Sequence, residues 1–364
     1  MASYATWGNE LYSGKRSYNI IGRSKLWLSI SAGFIVLSLV LLLTRGLNPS
    51  IEFSGGTQFI ISGTSTTNQD LAYEVLADDG ITENVRVSAL GADSIRVQTQ
   101  SMETAQTQEL RSDLAEAYDV SIDEVDTNSV GATWGQDVTR KALQSIVIFV
   151  VLVLLLMAAY FRSWTMSTAA LIALFNDLLV TVGFFALTHV EVSPATVIGF
   201  LTILGYSLYD TVVVFDKVRE ATGRYELQDK YTYGELVNLG VNQTLVRSIN
   251  TSVVALLPVS AILFIGSLLL GAGTLTDISL ALFVGMAVGA LSSIFIGPPA
   301  LALLQGLRKN VKEKDAKILK TRAEKAAAQP EGEKGEEVTL VAPVSKTPGR
   351  HLGQAAQPKR KARK

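Results

Sequence analysis

Long apolar segments alternate with polar segments along the chain, and this pattern predicts six membrane-spanning helices. The apolar runs are about 18 to 26 residues long and almost uncharged, which is the length that crosses a hydrocarbon core of roughly 30 Å. We therefore expect an α-helical polytopic membrane protein. The predicted spans are 26–45, 143–161, 165–187, 194–215, 247–270 and 278–304.

Basic residues indicate which loops stay in the cytoplasm. Four Lys and Arg residues in segment 1–25 precede the first span, whereas the connections 189–193 and 271–277 contain none. Basic residues in short loops remain on the cytoplasmic side, so we predict that both termini are cytoplasmic and that residue 46 onward lies outside. A cleaved signal peptide is the alternative interpretation of the first run, but the run is long and lies too far from residue 1.

The polar segment 46–139 predicts an extracytoplasmic α+β domain between the first two spans. The expected order of its elements is βαββαβ, which is the order of a ferredoxin-like module. The two middle strands are joined at Gly91-Ala92-Asp93, a hairpin signal. About 90 residues suffice for one small core. The expected elements are 52–62, 69–79, 84–90, 94–100, 104–118 and 121–128.

The rest of the chain divides by the same pattern. After the cytoplasmic segment 1–25, the first span and the external domain, we expect a five-helix membrane bundle at 140–306. Its cytoplasmic loop, 219–246, contains an expected interfacial helix at 233–245. Residues 307–364 predict a disordered cytoplasmic tail.

Charge separates the two polar regions. Residues 46–139 carry 16 acidic and 3 basic side chains, and residues 307–364 carry 16 basic and 7 acidic ones. Two interpretations of the basic tail stay open: a solvated segment that helps to set topology, or a segment that binds anionic lipid or ribosomal RNA.

Composition excludes several kinds of chemistry. The chain has no cysteine, so disulfides and thiol redox catalysis are excluded. Its two histidines, His189 and His351, are too few for a histidine-rich metal site. A Walker A sequence is absent, which leaves ATP hydrolysis by a P-loop unsupported. We expect no enzyme activity, catalytic residue, metal or cofactor, and an ion gradient as the energy source.

Charged side chains inside spans are costly and therefore indicate function. Asp177 lies near the middle of the third span, Asp210 about two turns from the end of the fourth, and Arg247 at the start of the fifth. Because these last two spans are antiparallel, Asp210 and Arg247 are expected at similar depth. They form either a proton-exchanging pair or a static ion pair that fixes helix packing. For Asp177, beside Asn176, we favour hydrogen bonding between helices.

Small and hydroxyl-bearing residues surround these charges. Such residues permit close helix approach and supply hydrogen bonds in the membrane. The supporting residues are Ser207 and Thr211 on the fourth span, and Asn250 and Thr251 on the fifth.

Four segments, taken together, resemble the SecF family of protein-export subunits. The fourth span contains GYSLYDTVVVFDKVRE at 205–220, and the fifth contains QTLVRSINTS at 243–252. After the first span comes EFSGGT at 52–57, and the third span contains Asn176-Asp177 followed by GFFAL at 183–187. The resemblance covers about residues 15–307.

The resemblance implies a proton-driven function in protein export. SecF belongs with the resistance-nodulation-division transporters, so Asp210 matches the proton-carrying Asp of the family and Arg247 its partner. The implied partners are SecD, the SecYEG channel, exported unfolded polypeptide and membrane lipids, with no nucleic acid, in the bacterial plasma membrane. The sequence leaves open whether the coupling ion is H⁺ or Na⁺.

Two positions depart from the family pattern. Tyr209 stands where the family commonly has Asn, and Asn176 stands where it commonly has His. The first departure alters the surroundings of Asp210, and the second removes a titratable group.

The motif after the first span comprises Phe53, Gly55, Gly56 and Thr57. Its glycine pair permits a tight turn or close backbone approach, and direct contact with an exported chain is the alternative.

Two other functions stay open on the sequence. One is a small-molecule or lipid exporter of the same superfamily. The other is a structural subunit that does not conduct protons and whose intramembrane charges only pack it against a partner.

Overall fold

Helices dominate the computed structural model, which describes residues 4–82, 85–90, 93–266 and 273–327. The first helices are α1 (Tyr4–Tyr12), α2 (Ser24–Thr44), α3 (Ile51–Ser54), α4 (Gln69–Asp78), α5 (Thr104–Ala117) and α6 (Ala132–Phe161). The others are α7 (Trp164–Thr188), α8 (Pro194–Thr222), α9 (Tyr233–Ile265), α10 (Gly273–Phe295), α11 (Gly297–Gly306) and α12 (Lys309–Ala327).

Among the described residues, six helical segments are long and apolar enough to cross a membrane. Their number is the one that the apolar runs predict. They are Ile21–Thr44, Ala132–Phe161, Trp164–Thr188, Pro194–Leu227, Tyr233–Ile265 and Leu275–Gly306.

Helix α9 corrects the prediction of a separate interfacial helix at 233–245. It is one continuous helix of 33 residues that starts at a capping box formed by Thr232 and Glu235. The polar residues that suggested a membrane surface instead bind the N-terminal segment. Asn242 accepts a hydrogen bond from the Tyr18 amide at 2.7 Å. The expected end of this span, 267–270, lies outside the described residues.

The sixth span is broken, whereas the sequence predicted one helix over 278–304. Helix α10 ends at Phe295 and α11 begins at Gly297. Pro298 and Pro299 follow at the start of α11. Proline lacks the amide hydrogen and clashes with the preceding turn, which explains the interruption at Ile296 within the span Leu275–Gly306.

Residues between α2 and α6 form a sheet covered by helices. Its strands are β2 (Gly56–Ile61), β3 (Arg86–Leu90), β4 (Ser94–Thr99) and β5 (Val125–Val130), after the short β1 (Asn48–Pro49). The spatial order is β3-β4-β2-β5, and neighbouring strands are antiparallel. The core comprises Phe59, Ile61, Ala72, Leu76, Val87, Ile95, Val97, Leu110, Leu114, Ala115, Tyr118 and Val125.

Several boundaries in this region differ from the prediction. The strand expected at 52–62 begins only at Gly56, because Ile51–Ser54 forms α3. The last strand begins at Val125, after a 3₁₀ turn with its own capping box. Helix α6 begins at Ala132, inside the region assigned to the external domain. The expected turn residues Gly91 and Ala92 lie outside the described residues.

The prediction of a disordered tail from residue 307 was wrong for 309–327, which form α12. Val311 and Ile318 are buried, at 7% and 2% exposure. Asp315 accepts a hydrogen bond from the Tyr225 hydroxyl at 2.9 Å, and Arg322 pairs with Glu235. Positions 311, 315, 318 and 322 recur at helical spacing, so α12 has a face to bury. Residues 328–364 lie outside the described residues.

Candidate functional site

Asp210 lies where α8, α9 and α10 meet. Helix α8 starts with a capping box at Ser193 and runs through the bundle, which leaves Asp210 only 3% exposed. Ser248 of α9 donates a hydrogen bond to Asp210 Oδ1 at 3.0 Å, and Ser293 of α10 donates to Asp210 Oδ2. One carboxylate therefore joins three helices.

Arg247 does not contact Asp210 in the described part of the chain. Its side chain is exposed, and none of the salt bridges between described residues includes either group. The expected ion pair is thus not formed. One residue turns an α-helix by about 100°, so turning Ser248 toward Asp210 leaves Arg247 on the side of α9.

Asp177 is the centre of a second buried contact. It is fully buried, and its carboxylate accepts hydrogen bonds from Ser207 of α8 and from Asn176 Nδ2 at 3.2 Å. Ser292 of α10 lies against the same carboxylate. Ser31 of α2 donates to Asn176 Oδ1 at 2.7 Å, which brings a fourth helix to this contact.

The contacts of the two carboxylates lie next to each other along α8 and α10. Ser207 and Asp210 are three residues apart on α8, so they lie on the same face, and Ser292 and Ser293 are adjacent on α10. We call this set the intramembrane polar core. Its members are Ser31, Asn176, Asp177, Ser207, Asp210, Ser248, Ser292 and Ser293.

Sequence reasoning missed four serines of the polar core. Ser292 and Ser293 form a polar pair inside an apolar helix, and Ser248 directly follows Arg247. Ser292 and Ser293 follow Gly289 by one helical turn, and a Cβ added to Gly289 would lie 3.5 Å from Asp177 Oδ2. A serine pair one turn from a packing glycine is a signal for polar contact between membrane helices.

The other predicted supporting residues have different surroundings. Thr211 is 2% exposed beside Asp210 in the sequence. Thr251 donates back to the Arg247 and Ser248 carbonyls of its own helix, at 3.0 Å each. Asn250 is exposed and accepts a hydrogen bond from the Tyr4 hydroxyl at 2.6 Å. Neither α9 residue is among the hydrogen-bond partners of the buried carboxylates.

The glycine motif joins the first span to α6. Gly55 and Gly56 have φ of 76° and 138°, which L side chains rarely adopt. A Cβ on Gly55 would lie 2.8 Å from the Ala132 Cα, and one on Gly135 would lie 2.6 Å from the Phe53 carbonyl oxygen. The pair allows close backbone approach at the start of α6.

Thr57, the last residue of this motif, is fully buried in β2. Its hydroxyl lies 3.1 Å from that of Ser129 on β5. These contacts give the motif a structural basis.

An apolar cavity of about 690 Å³ adjoins the polar core. Ser248, Ser252, Trp27 and Arg23 are among the residues that line it. Among the described residues, Trp27 Nε1 and Ser252 Oγ are buried without a hydrogen-bond partner.

Hydroxyl groups are the most common partners of the two buried carboxylates. Among the described residues, no group of three or more His, Cys, Asp or Glu could hold a metal ion. Both carboxylates are held by hydroxyl and amide groups without a cation. A hydroxyl can donate to a carboxylate and accept from a carboxylic acid, so it serves either protonation state.

The chain is similar to known protein-export subunits over most of its length. Residues 110–307 match the family described as "Protein export membrane protein SecD/SecF, C-terminal", and residues 40–66 match the "SecD/SecF GG Motif". Protein translocase subunit SecF of Streptomyces coelicolor is 44% identical, covering 90% of this chain and 87% of that protein. The Mycobacterium tuberculosis SecF is 36% identical over 86% of this chain and 73% of that protein.

A solved structure shares the fold. The crystal structure of SecDF from Thermus thermophilus, described as a translocon-associated membrane protein, matches with a TM-score of 0.73 and 28% identity. The match covers 81% of this chain but only 39% of the SecDF chain. This chain therefore spans about two fifths of the length of that neighbour.

Proposed function

This chain belongs to the SecD/SecF family of protein-export membrane proteins, and we propose that it uses the proton-motive force to promote protein translocation. The observation that carries the proposal is the buried Asp210, held by serines of two neighbouring helices. A charge that crosses 100 mV supplies about 2.3 kcal/mol, which is enough to change how such helices pack.

Protonation changes the contacts that Asp210 makes. A charged carboxylate only accepts hydrogen bonds, whereas the neutral acid also donates one. One of the two serine hydroxyls, on Ser248 or Ser293, would then accept a hydrogen bond instead of donating one, and we propose that α9 and α10 repack against α8 as the charge is lost. The exposed Arg247 is one residue from Ser248, so α9 would have to rotate by about 100° to turn its charge toward the site.

We propose a second six-helix subunit, SecD, as the immediate partner. Tyr209, Arg247 and Asn250 are exposed on helices that span the membrane, and we call them the α8–α9 outer face. Charged intramembrane residues face protein or water rather than lipid, so this face requires a cover. The SecDF neighbour, longer than this chain, fits such an arrangement, with SecYEG and the exported chain as further partners among membrane lipids.

The topology that fits this function places residues 46–131 outside a bacterial plasma membrane and both termini in the cytoplasm. The four basic residues of segment 1–25 support that placement, because Lys and Arg close to the first span stay in the cytoplasm. We propose that the region is ferredoxin-like, because its elements follow the order β2-α4-β3-β4-α5-β5 in an antiparallel sheet. Cysteine insertion and labelling from either side of the membrane tests the orientation.

The test replaces Asp210 with Asn, which keeps size but removes titration. Gradient-dependent release of a secreted substrate should be lost, while protein level and SecD binding stay normal. Arg247→Met should also fail. Asp216→Asn is the matched control, because Asp216 is an exposed carboxylate on the same helix, and it should export normally.

The double variant separates proton coupling from a static structural role. If Asp210 and Arg247 formed a buried ion pair in another packing of α8 and α9, removing one partner would cost about 3–5 kcal/mol, whereas replacing both would often be neutral. If Asp210→Asn combined with Arg247→Met exports better than either single variant, the charges only hold the helices together. Continued failure of the double variant, with normal assembly, is what proton coupling requires.

A further inference from the structure

A buried charged contact links the external domain to the membrane bundle. Arg96 on β4 and Glu191, in the short strand β6 (Glu191–Val192), are each 8% exposed and form an ion pair. Gln98, also on β4, donates from Nε2 to Glu191 Oε1 at 2.7 Å and to Gln58 Oε1 at 3.0 Å. One carboxylate of the bundle is thus held by two side chains of the sheet.

The backbone around Glu191 is fixed as well. Strand β6 pairs in parallel with β1, with Asn48 opposite Glu191 and Pro49 opposite Val192. The Ser50 amide donates to the Val192 carbonyl at 3.0 Å. The segment that connects α7 to α8 therefore has little freedom to move independently of the domain.

The helices attached to this contact are the ones that hold Asp210. Glu191 lies two residues before Ser193, the N-cap of α8, and the Ser193 side chain hydrogen-bonds Asp277 near the start of α10. Burial lowers the pKa of the Arg96 guanidinium, while the charges of Asp277 and Glu52 raise it. The N-terminal ends of α8 and α10 therefore contact each other and both lie close to Arg96.

The three basic residues of the external domain have different roles. Arg111 donates to the Val125 and Ile122 carbonyls within the domain, at 2.8 Å each. Arg86 binds Asn48 in the connection from α2. Arg96 pairs with the bundle itself. A buried ion pair adds little stability over an apolar contact of the same size, so the benefit of Arg96 lies in fixing one orientation.

We propose that Arg96 is a positioning residue that couples α8 and α10 to the sheet of the external domain. Repacking around Asp210 displaces α8 and α10, and the Arg96–Glu191 pair passes that displacement to β4. Without the pair, only Gln98 and the pairing of β1 with β6 would link this segment to the domain, and less of the displacement would reach β4. This inference rests on the proposed proton-driven function, which the Asp210→Asn variant tests.

The experiment measures proton uptake and export separately, in proteoliposomes that contain the full chain, SecD and the channel. Arg96→Met should keep gradient-driven proton uptake and assembly but reduce substrate release by at least about tenfold, since it leaves Glu191 buried without its partner. Arg96→Lys keeps the charge and should recover part of the release. Arg111→Met is the control within the domain and should leave the ratio of release to uptake unchanged.

A charge swap keeps the test decisive if Arg96→Met assembles poorly. Arg96→Glu combined with Glu191→Arg restores the pair in reverse and should recover export. Failure of the swap with normal assembly would overturn the inference. So would normal release by Arg96→Met, or an equal loss of proton uptake and release.

The parallel Asp210→Asn variant separates the two proposals. If it loses both uptake and release while Arg96→Met behaves as wild type, only the coupling inference fails. If Asp210→Asn keeps both, the proposed function itself fails.

Discussion

Replacing Gly56 with alanine should destabilise the external domain through the ladder between β2 and β4. Gly56 has φ of 138°, a backbone conformation that costs an L residue about 1–3 kcal/mol. An added Cβ would also overlap the Thr99 carbonyl oxygen, and such overpacking typically costs about 1–3 kcal/mol. The sum, about 2–6 kcal/mol, is a large fraction of the about 5–15 kcal/mol that stabilises a typical domain.

Gly80 provides the matched control. It lies in the same domain with φ of 73°, and an added Cβ would meet nothing within 4 Å. Gly80→Ala therefore carries only the backbone cost, about 1–2 kcal/mol for a left-handed residue. The excess cost of Gly56→Ala over Gly80→Ala therefore contains the overlap with Thr99 and the cost of the more unusual φ of 138°.

Amide hydrogen exchange of β2 and β4 in the solubilised full-length protein is the assay. If overlap costs about 1–3 kcal/mol, Gly56→Ala should lose about 5- to 150-fold more protection than Gly80→Ala, since each 1.4 kcal/mol is tenfold. Equal losses in the two variants would refute the steric argument.

Two further predictions concern the domain core and the C-terminal helix. Tyr118→Phe removes the hydroxyl that donates to the Asn68 carbonyl and accepts from the Ala72 amide, at a cost of about 1–3 kcal/mol in thermal unfolding. Burial raises the pKa of Tyr118, so the stabilisation from its neutral hydroxyl is present below pH about 10 and is lost as pH rises through the folded-state pKa. Tyr118→Phe should therefore reduce the fall in stability at alkaline pH. An unchanged fall would contradict this reasoning. Arg322→Gln should speed proteolysis of α12 several-fold, because it breaks a pair that is about one-third exposed and contributes roughly 1 kcal/mol. Lys320→Gln, which loses only an exposed pair at 3.9 Å, should not.

The number of spans and the burial of the acidic residues were predictable from the sequence. Bilayer thickness dictates the length of an apolar run, and the cost of an intramembrane charge drives Asp177 and Asp210 into the bundle interior. Both constraints come from the membrane and act before any detail of packing matters.

The contacts of these residues were not predictable in the same way. Neighbouring residues on a helix point about 100° apart, and α9 is apolar around most of its membrane part. Its periodicity therefore does not say whether Arg247 or Ser248 faces α8. That choice depends on how three helices pack together.

Composition misled at the C-terminal segment. Lys-rich and Glu-rich sequence favours disorder, yet Val311 and Ile318 supply one apolar stripe and Asp315 and Arg322 supply polar contacts beside it. Four residues at helical spacing favoured a packed helix more strongly than the average composition of the segment favoured disorder.

Helix α9 is long enough to extend beyond the hydrocarbon core and to bind other segments there. At 33 residues it measures about 50 Å, about 20 Å more than the hydrocarbon core. Tyr4 and Tyr18 bind it through Asn250 and Asn242, and α12 binds it through Glu235. A tilt of α9 at Ser248 would therefore displace the segment Tyr4–Tyr18 and helix α12 together, because both are bound to the same helix.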